Sequence, residues 1–516
     1  MTALVPLVVI LPILGAAGAL VASGRPRLQR TIAAVTLTAV LGIGIALIAA
    51  VADGGMLVMP VGGWPVPFGI VLVVDRLSAL LLTVSAAVLL AVLVFSIGQG
   101  IADGDDREAP VSIFYPTYLV LAAGVFDAFI AGDLFNLYVG FEILLVSSYV
   151  LITVGGTEPR IRAGTTYIVV SLVSSTLFLA AVGAVYAATG TVNMAQIAER
   201  VQALPPGVQV LLHVMLLTAF GIKAAVFPLS FWLPDSYPTA IAPVTAVFAG
   251  LLTKVGVYAI LRTETTLFPG PELNPVLLVV AGLTMLVGVL GAIAQADIKR
   301  MLSFTLVSHI GYLIMGVGLG TAAGTAAAIF YTVHHIVVQT TLFLTAGLIE
   351  RRAGTTTITR LGGLLAASPL LGVLYLVPAL NLGGIPPFSG FLGKLGLLEA
   401  GAAANDPLTY AVVGIAVLTS LLTLYPLVRV WNVSFWRPAA QVAEGSRLTD
   451  ELHEDPFRPA TVDTRSLAAP MVLATAGMVL LGVGITVFAG PLYQYASDAG
   501  ATLQDWPVYV RGVLGR

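Results

Sequence analysis

The chain has 516 residues, of which 58% belong to the AVILMFWYC set and only 10% are charged, with a formal net charge of −2 and a mean hydropathy of +0.99. Soluble domains carry roughly 25% charged residues, so this composition excludes a soluble globular enzyme, a disordered chain and a nucleic-acid binder, and leaves a polytopic membrane protein. The absence of cysteine excludes disulfides, thiolate-held iron–sulfur clusters and a cysteine nucleophile.

A helix that crosses the hydrocarbon core needs about 20 mostly apolar residues. Runs of that kind, bounded by charge, Gly or Pro, predict fourteen spans near 3–23, 31–52, 74–98, 111–129, 133–154, 164–188, 208–233, 239–261, 275–295, 301–320, 324–349, 363–400, 409–432 and 468–490. The runs are continuous, unlike the alternating strands of about 10 residues in a membrane β-barrel. The expected fold is therefore an all-α polytopic membrane protein. No basic residue precedes the first run, and Arg25, Arg27 and Arg30 follow it. This predicts a first transmembrane helix with its N-terminus outside, rather than a cleaved signal peptide.

The positive-inside rule tests that topology. It puts sixteen of the 24 basic residues in inner loops and four in outer segments, Arg262 among the latter; Arg76, Lys223, Lys254 and Lys394 lie in spans. Residues 191–203 predict a short amphipathic helix on the outer face. The polar stretch 433–467, rich in Pro and charge, predicts a cytoplasmic loop or surface helix. The chain divides into a three-helix segment (1–110), two five-span units (111–262 and 263–432), that loop, and a C-terminal helix with its tail (468–516).

The chain has four lysines against twenty arginines, and three of the four sit deep in apolar runs: Lys223 in LLTAFGIKAAVFPL, Lys254 in VFAGLLTKVGVYAI and Lys394 in FSGFLGKLGLLEA. A lysine at the centre of a span costs roughly 2.5–3.5 kcal/mol on the insertion scale. Lysine can exist with or without its proton inside a protein, whereas arginine is a fixed charge. Lysine is thus the expected choice for a group that gains and loses protons. Glu142, in LYVGFEILLVSSYVLI, has no nearby residue in sequence to pair with, and an inter-helix Glu142–Lys223 pair would satisfy both.

Four of the five histidines also lie in spans: His213, His309, His334 and His335. Adjacent His334 and His335 point about 100° apart on a helix, so one of them suffices to face a pathway. His213 fits a satisfied polar contact, and His309 fits either that or a relay role. Asp127 and Asp133 flank the fifth span as further candidates or interface groups. Asp75 with Arg76 predicts local charge balance, and Glu399 an outer-interface position. A single buried Lys–Glu pair is readily a structural bridge; three lysines, a glutamate and a histidine doublet in one chain favour a pathway. No His and carboxylate cluster has ligand spacing for a metal.

Two spans are interrupted, at VFPLSFWLP (226–234) and at NLGGIPPFSG (381–390). Proline removes a backbone donor and frees a carbonyl one turn back. In lipid such groups are tolerated only where protein or water lines them. Pro228-Leu-Ser230-Phe-Trp-Leu233 aligns with Pro387-Phe-Ser389-Gly-Phe-Leu392 at an offset of 159 residues. The two breaks fall in the seventh and twelfth spans. Five spans is an odd number, so the copies run in opposite directions, and spans four to eight and nine to thirteen form an inverted repeat.

GDLFNLYVGFEILLVSSYVL, GIKAAVFPLSFWLPDSYPTAIAPVTAVFAGLLTKVGVYAILR, SFTLVSHIGYLIMG and NLGGIPPFSGFLGK resemble the antiporter-like family. That family includes the proton-pumping membrane subunits of respiratory complex I and subunits of Mrp-type cation/proton antiporters. The likeness runs from about 70 to 435. It implies two inverted five-helix repeats, broken helices in spans 7 and 12, and a lateral row of polar residues. On its pattern Glu142 pairs with Lys223, and Lys254, His334 or His335, and Lys394 continue the row. Some relatives carry a lysine where this chain has Gln339. There, histidine and water must bridge Lys254 and Lys394.

The resemblance implies a proton-conducting subunit of a multisubunit Na⁺ (or other monovalent cation)/H⁺ antiporter in the cell membrane. Its expected partners are other subunits, lipid, H⁺ and Na⁺, with no cofactor and no enzymatic step. The rivals are a proton-pumping subunit of complex I or a hydrogenase, a structural membrane subunit, and a solitary transporter.

Overall fold

A computed structural model describes residues 1–100, 113–442 and 467–515. The chain is a helix bundle. Helix α1 (Leu7–Val21) and α2 (Pro26–Val51) lead into a hairpin of β1 (Leu57–Pro60) and β2 (Val71–Val74), and α3 (Arg76–Gln99) follows. The first half continues through α4 (Phe114–Ile130), α5 (Leu134–Thr153), α6 (Glu158–Thr189), a short α7 (Met194–Val201) and α8 (Pro206–Ala224). Short α9 (Leu233–Ser236) precedes a long helix made of α10 (Ala242–Val247), a π-helical stretch (Phe248–Leu252), α11 (Thr253–Arg262) and a second π stretch (Thr263–Leu267). The second half holds α12 (Asn274–Ile293), α13 (Ile298–Gly318), α14 (Ala322–Ala353), short α15 (Leu364–Ala367), α16 (Pro369–Gly383), α17 (Ser389–Ala403) and α18 (Pro407–Val430). Helices α19 (Ala469–Val487), α20 (Ala489–Gln504) and α21 (Trp506–Leu514) close the chain.

Among the described residues twelve helices are long and apolar enough to cross a membrane, and α4 and α16 are shorter apolar helices. The expected count of fourteen is reached only if those two are included. The twelfth run is short because Gly384 (φ +81) ends α16 and the chain restarts as α17. The thirteenth continues as a π turn to Trp436, past the expected end. The remainder of the polar loop, 443–466, lies outside the described residues, as do 101–112. Helix α7 forms where the amphipathic pattern predicts it, capped by the Asn193 side chain. Its apolar residues are buried against α21 and the Thr263–Leu267 turn.

The two halves share a local device. Asp133 caps α5 through the Asn136 amide, and Asp297 caps α13 through the Arg300 amide. Each turn is clamped to a strand-like segment further on: Leu134 and Met194 bond Val192 and Gly132, while Ile298 and Ile358 bond Thr356 and Ala296. The first clamp lies on the face that carries the hairpin. The second lies on the opposite face, with Arg300–Asp235, Lys299–Glu350 and the Arg160–Thr239 bond.

Burial is uneven, and it follows polarity. In the most apolar windows of Ala242–Leu267 and Ala322–Ala353 every residue is buried, whereas in α1, α2 and α19 only a third are. Polar groups cannot face hydrocarbon cheaply, so the helices that carry Lys254 and the His334–His335 pair form the centre of the bundle.

Candidate functional site

Lys223 sits in the last turn of α8, where its charge meets the negative end of the helix. Ala225, at φ +58, stops the helix, and the chain turns through Pro228 to α9. The lysine Nζ donates to the Ser171 carbonyl and the Ser175 hydroxyl, each at 3.4 Å, and lies 5.8 Å from the Phe141 ring. Ser175 in turn donates a short hydrogen bond to Glu142. Glu142 and Lys223 therefore meet through Ser175. Glu142 is half-buried, on the outside of the bundle.

Lys254 is fully buried, and its Nζ donates to the Ala249 carbonyl at 2.6 Å. Ala249 belongs to the π stretch, whose wider turn interrupts the regular ladder and turns a carbonyl towards the amine. Gly256 lets this helix touch the end of α8: a Cβ there would lie 2.6 Å from the Ala224 nitrogen. The helices carrying Lys223 and Lys254 are thus locked together at the break.

A histidine–tyrosine cluster fills the space beyond Lys254. His309 Nδ1 lies 2.6 Å from the Tyr331 hydroxyl, and its ring stacks on His335 at 5.2 Å. His335 also lies against Tyr331, which stacks on His334 at 5.1 Å. All three histidines are fully buried. Among the described residues, both ring nitrogens of His335, Nε2 of His309 and Nε2 of His334 have no partner, and neither has Gln339 Oε1. Buried polar atoms in such number call for water. Helix α14, which carries His334 and His335, packs on the π stretch that holds the Lys254 amine, and His334 reaches Ser389 at the break beside Lys394.

Lys394 closes the row. It lies in the second turn of α17 but reaches back across the break, donating to the Leu382 and Gly383 carbonyls at 3.1 and 3.3 Å and to Ser420 Oγ at 3.0 Å. The end of α16 thus offers its free carbonyls to an ammonium. His334 reaches the same break: its Nδ1 lies 3.0 Å from Ser389 Oγ, and Asn381 accepts from Ser389 and from the Gly390 amide. Both His334 and His335 face the cluster, where one was expected to suffice.

Other candidates lie elsewhere. His213 pairs with Glu264 at 2.5 Å and stacks on Phe268, in line with a satisfied contact. Asp127 accepts from Asn136 Nδ2, and Asp133 is a helix cap. Asp75 does not balance Arg76. It pairs at 2.6 Å with the buried Arg262, while Arg76 donates to the Ala52 carbonyl and Thr502. Glu399 is exposed in a cleft with Tyr493 and Phe330. Sequence reasoning missed Ser175, Ser420, Asn381, Tyr331 and Glu264. The signal was hydroxyl and amide groups inside apolar runs, and for Glu264 a carboxylate just past one.

The family model described as NADH:quinone oxidoreductase/Mrp antiporter, TM, matches residues 131–423, which hold Glu142, the three intramembrane lysines and both breaks. The chain belongs to that family. A curated member, the D-type component of the Na⁺/H⁺ antiporter of Alkalihalophilus pseudofirmus, is 38% identical over the full length of both chains. Among solved structures, a chain of the Mrp complex from Dietzia sp. matches with a TM-score of 0.88 at 33% identity, covering 100% of both chains. A chain of the membrane-bound sulfane sulfur reductase, an archaeal respiratory membrane complex, matches with a TM-score of 0.87 at 25% identity, again over 100% of both. The expected all-α polytopic fold of that family is the fold observed, with twelve rather than fourteen helices of full spanning length among the described residues.

Proposed function

We propose that this chain is the D-type component of a multisubunit Na⁺ (or other monovalent cation)/H⁺ antiporter, and that it relays protons sideways through the bundle. The relay runs from Lys223, governed by Glu142 through Ser175, to Lys254, then across His335, His309 and His334 to Lys394. The observation that carries this reading is that, among the described residues, no carboxylate bonds any of the three buried amines directly. Backbone carbonyls and hydroxyls hold them instead. A structural tie would use a carboxylate; a group that must lose its proton needs a partner that tolerates either state. The partnerless histidine nitrogens supply water positions between Lys254 and Lys394.

The reading takes the two five-span units as 111–262 and 263–432, in opposite orientation, with the N-terminus and the β-hairpin outside the plasma membrane. The antiporter name and 38% identity of the Alkalihalophilus relative support exchange driven by ion gradients. The half-buried Glu142 supports a partner subunit, since a mid-span carboxylate does not face lipid. The deciding experiment measures Na⁺-induced collapse of a pH gradient in everted vesicles from an antiporter-deficient host. It compares the whole complex with its Lys223→Ala and Lys394→Ala forms. Loss of exchange in assembled complexes is expected; retained exchange in both would remove the relay.

A further inference from the structure

We propose that the buried Asp75–Arg262 ion pair is an electrostatic seal. It closes a polar column that would otherwise connect the hairpin face of the protein to Lys254. The proposal rests on the relay reading, because it assigns the seal the task of keeping that relay from leaking.

Lys254, Tyr258 and Arg262 follow one another at intervals of four residues and so lie on one face of α11. All three are buried, at 0%, 2% and 3% exposure. The column continues without an apolar break above Tyr258. Its hydroxyl donates to the Phe129 carbonyl at 2.9 Å and accepts from Arg262 Nε at 3.1 Å. The guanidinium then bonds Ser78 Oγ at 3.1 Å and Asp75 at 2.6 Å. Asp75 lines a recess on the hairpin face together with Gly54, Arg76 and Thr502. Polar groups therefore run from a surface recess to the Tyr258 hydroxyl, one helical turn from Lys254, whose amine turns the other way to the Ala249 carbonyl.

Arg262 is the wrong residue to carry a proton along that path and the right one to block it. A guanidinium does not release its proton in a protein. A fixed positive charge in a narrow polar passage repels hydronium and metal cations, as charged constrictions do in selective pores. Its position is held on every side. Tyr258 and Tyr509 place their rings 5.3 and 5.5 Å from the guanidinium carbon, and Asp75 is itself fixed as the cap of α3 through the Ser78 amide. One guanidinium nitrogen, Nη1, is buried without a partner among the described residues, so it remains untied to the carboxylate. The competing account is a tie that only joins α3 to α11. That account predicts altered assembly when the pair is removed, but no new conductance.

The test uses the purified whole complex in proteoliposomes with an internal pH dye. A valinomycin-imposed potassium diffusion potential drives protons in the absence of Na⁺, and the native complex under the same gradient corrects for any potassium exchange. Removing one partner would strand a buried charge, so the informative variant is the neutral pair Asp75→Asn/Arg262→Gln, checked for retention of all subunits. It is expected to admit protons at least about tenfold faster than the native complex. Arg262→Lys, which keeps the charge, stays tight. Adding Lys254→Ala to the neutral pair suppresses the leak. The proposal is overturned if the assembled neutral pair is as tight as the native complex, if Arg262→Lys leaks as fast as the neutral pair, or if the leak survives loss of Lys254. Normal antiport in Lys254→Ala alone would defeat the relay reading instead, a result distinct from any of these.

Discussion

Glu142 reaches Lys223 only through the hydroxyl of Ser175, which donates to the carboxylate and accepts from the ammonium. A hydroxyl between the two groups lets the charge of one be felt by the other without locking them into an ion pair. It also gives the proposed relay a part that can be removed without deleting either charge.

Ser175→Ala is therefore expected to slow Na⁺-driven proton movement in everted vesicles roughly tenfold, the effect of losing about 1.4 kcal/mol of hydrogen bonding to charged groups. Ser175→Thr keeps the hydroxyl and retains most of the rate. Equal activity in the alanine and native forms would show that the bridge is passive.

His335 separates a relay from a packing role. Phenylalanine at 335 can still stack on His309 and Tyr331, so the protein should assemble normally. Antiport should nevertheless fall by at least about tenfold, because the ring no longer carries nitrogens for water. Full exchange in assembled His335→Phe complexes would exclude this ring from the path.

Gly384 holds a backbone geometry that Lys394 depends on. Its φ is +81, and an added Cβ would lie 3.0 Å from Lys394 Cδ and 3.2 Å from Nζ. Gly384→Ala is expected to cost about 1–2 kcal/mol in left-handed strain. It should lower both the thermal midpoint of the purified complex and its exchange rate. By contrast Ser420→Ala, which removes one hydrogen bond to Lys394 and no backbone freedom, should lower exchange with little change in the midpoint.

The caps of the two halves should behave alike. Asp133→Ala and Asp297→Ala each remove a side-chain acceptor from a helix start, a loss of about 1 kcal/mol. Thermal unfolding of the complex should show comparable shifts for the two, and roughly additive ones for the double variant.

Much of the fold is legible in the sequence because membrane solvent forces it. Apolar runs near the bilayer thickness must be helices, and Pro228 and Pro387 mark both breaks. The buried lysines stand out because nothing but function or pairing justifies their cost. What holds them does not stand out. Ser175 and Ser420 look like any helix serine, most of which bond their own backbone. Only the packing of α6 against α8, and of α17 against α18, turns them towards the amines. Sequence pairs Asp75 with its neighbour Arg76 because it shows adjacency and not the crossing of α3 by the end of α11. The carbonyl partners of Lys254 and Lys394 are invisible for a different reason: every residue has a carbonyl, and only a π turn or a helix break makes one available.

Those carbonyls have a consequence for energetics. They cannot change their own charge, so a proton arriving at Lys254 or Lys394 brings no compensating anion with it. Each loading step then adds a whole unit of charge in the middle of the bilayer, where 100 mV across the full thickness is worth about 2.3 kcal/mol. In the proposed relay such amines would sense the cell's voltage as well as its pH, and ion exchange built on them would be electrical work before it is chemical work.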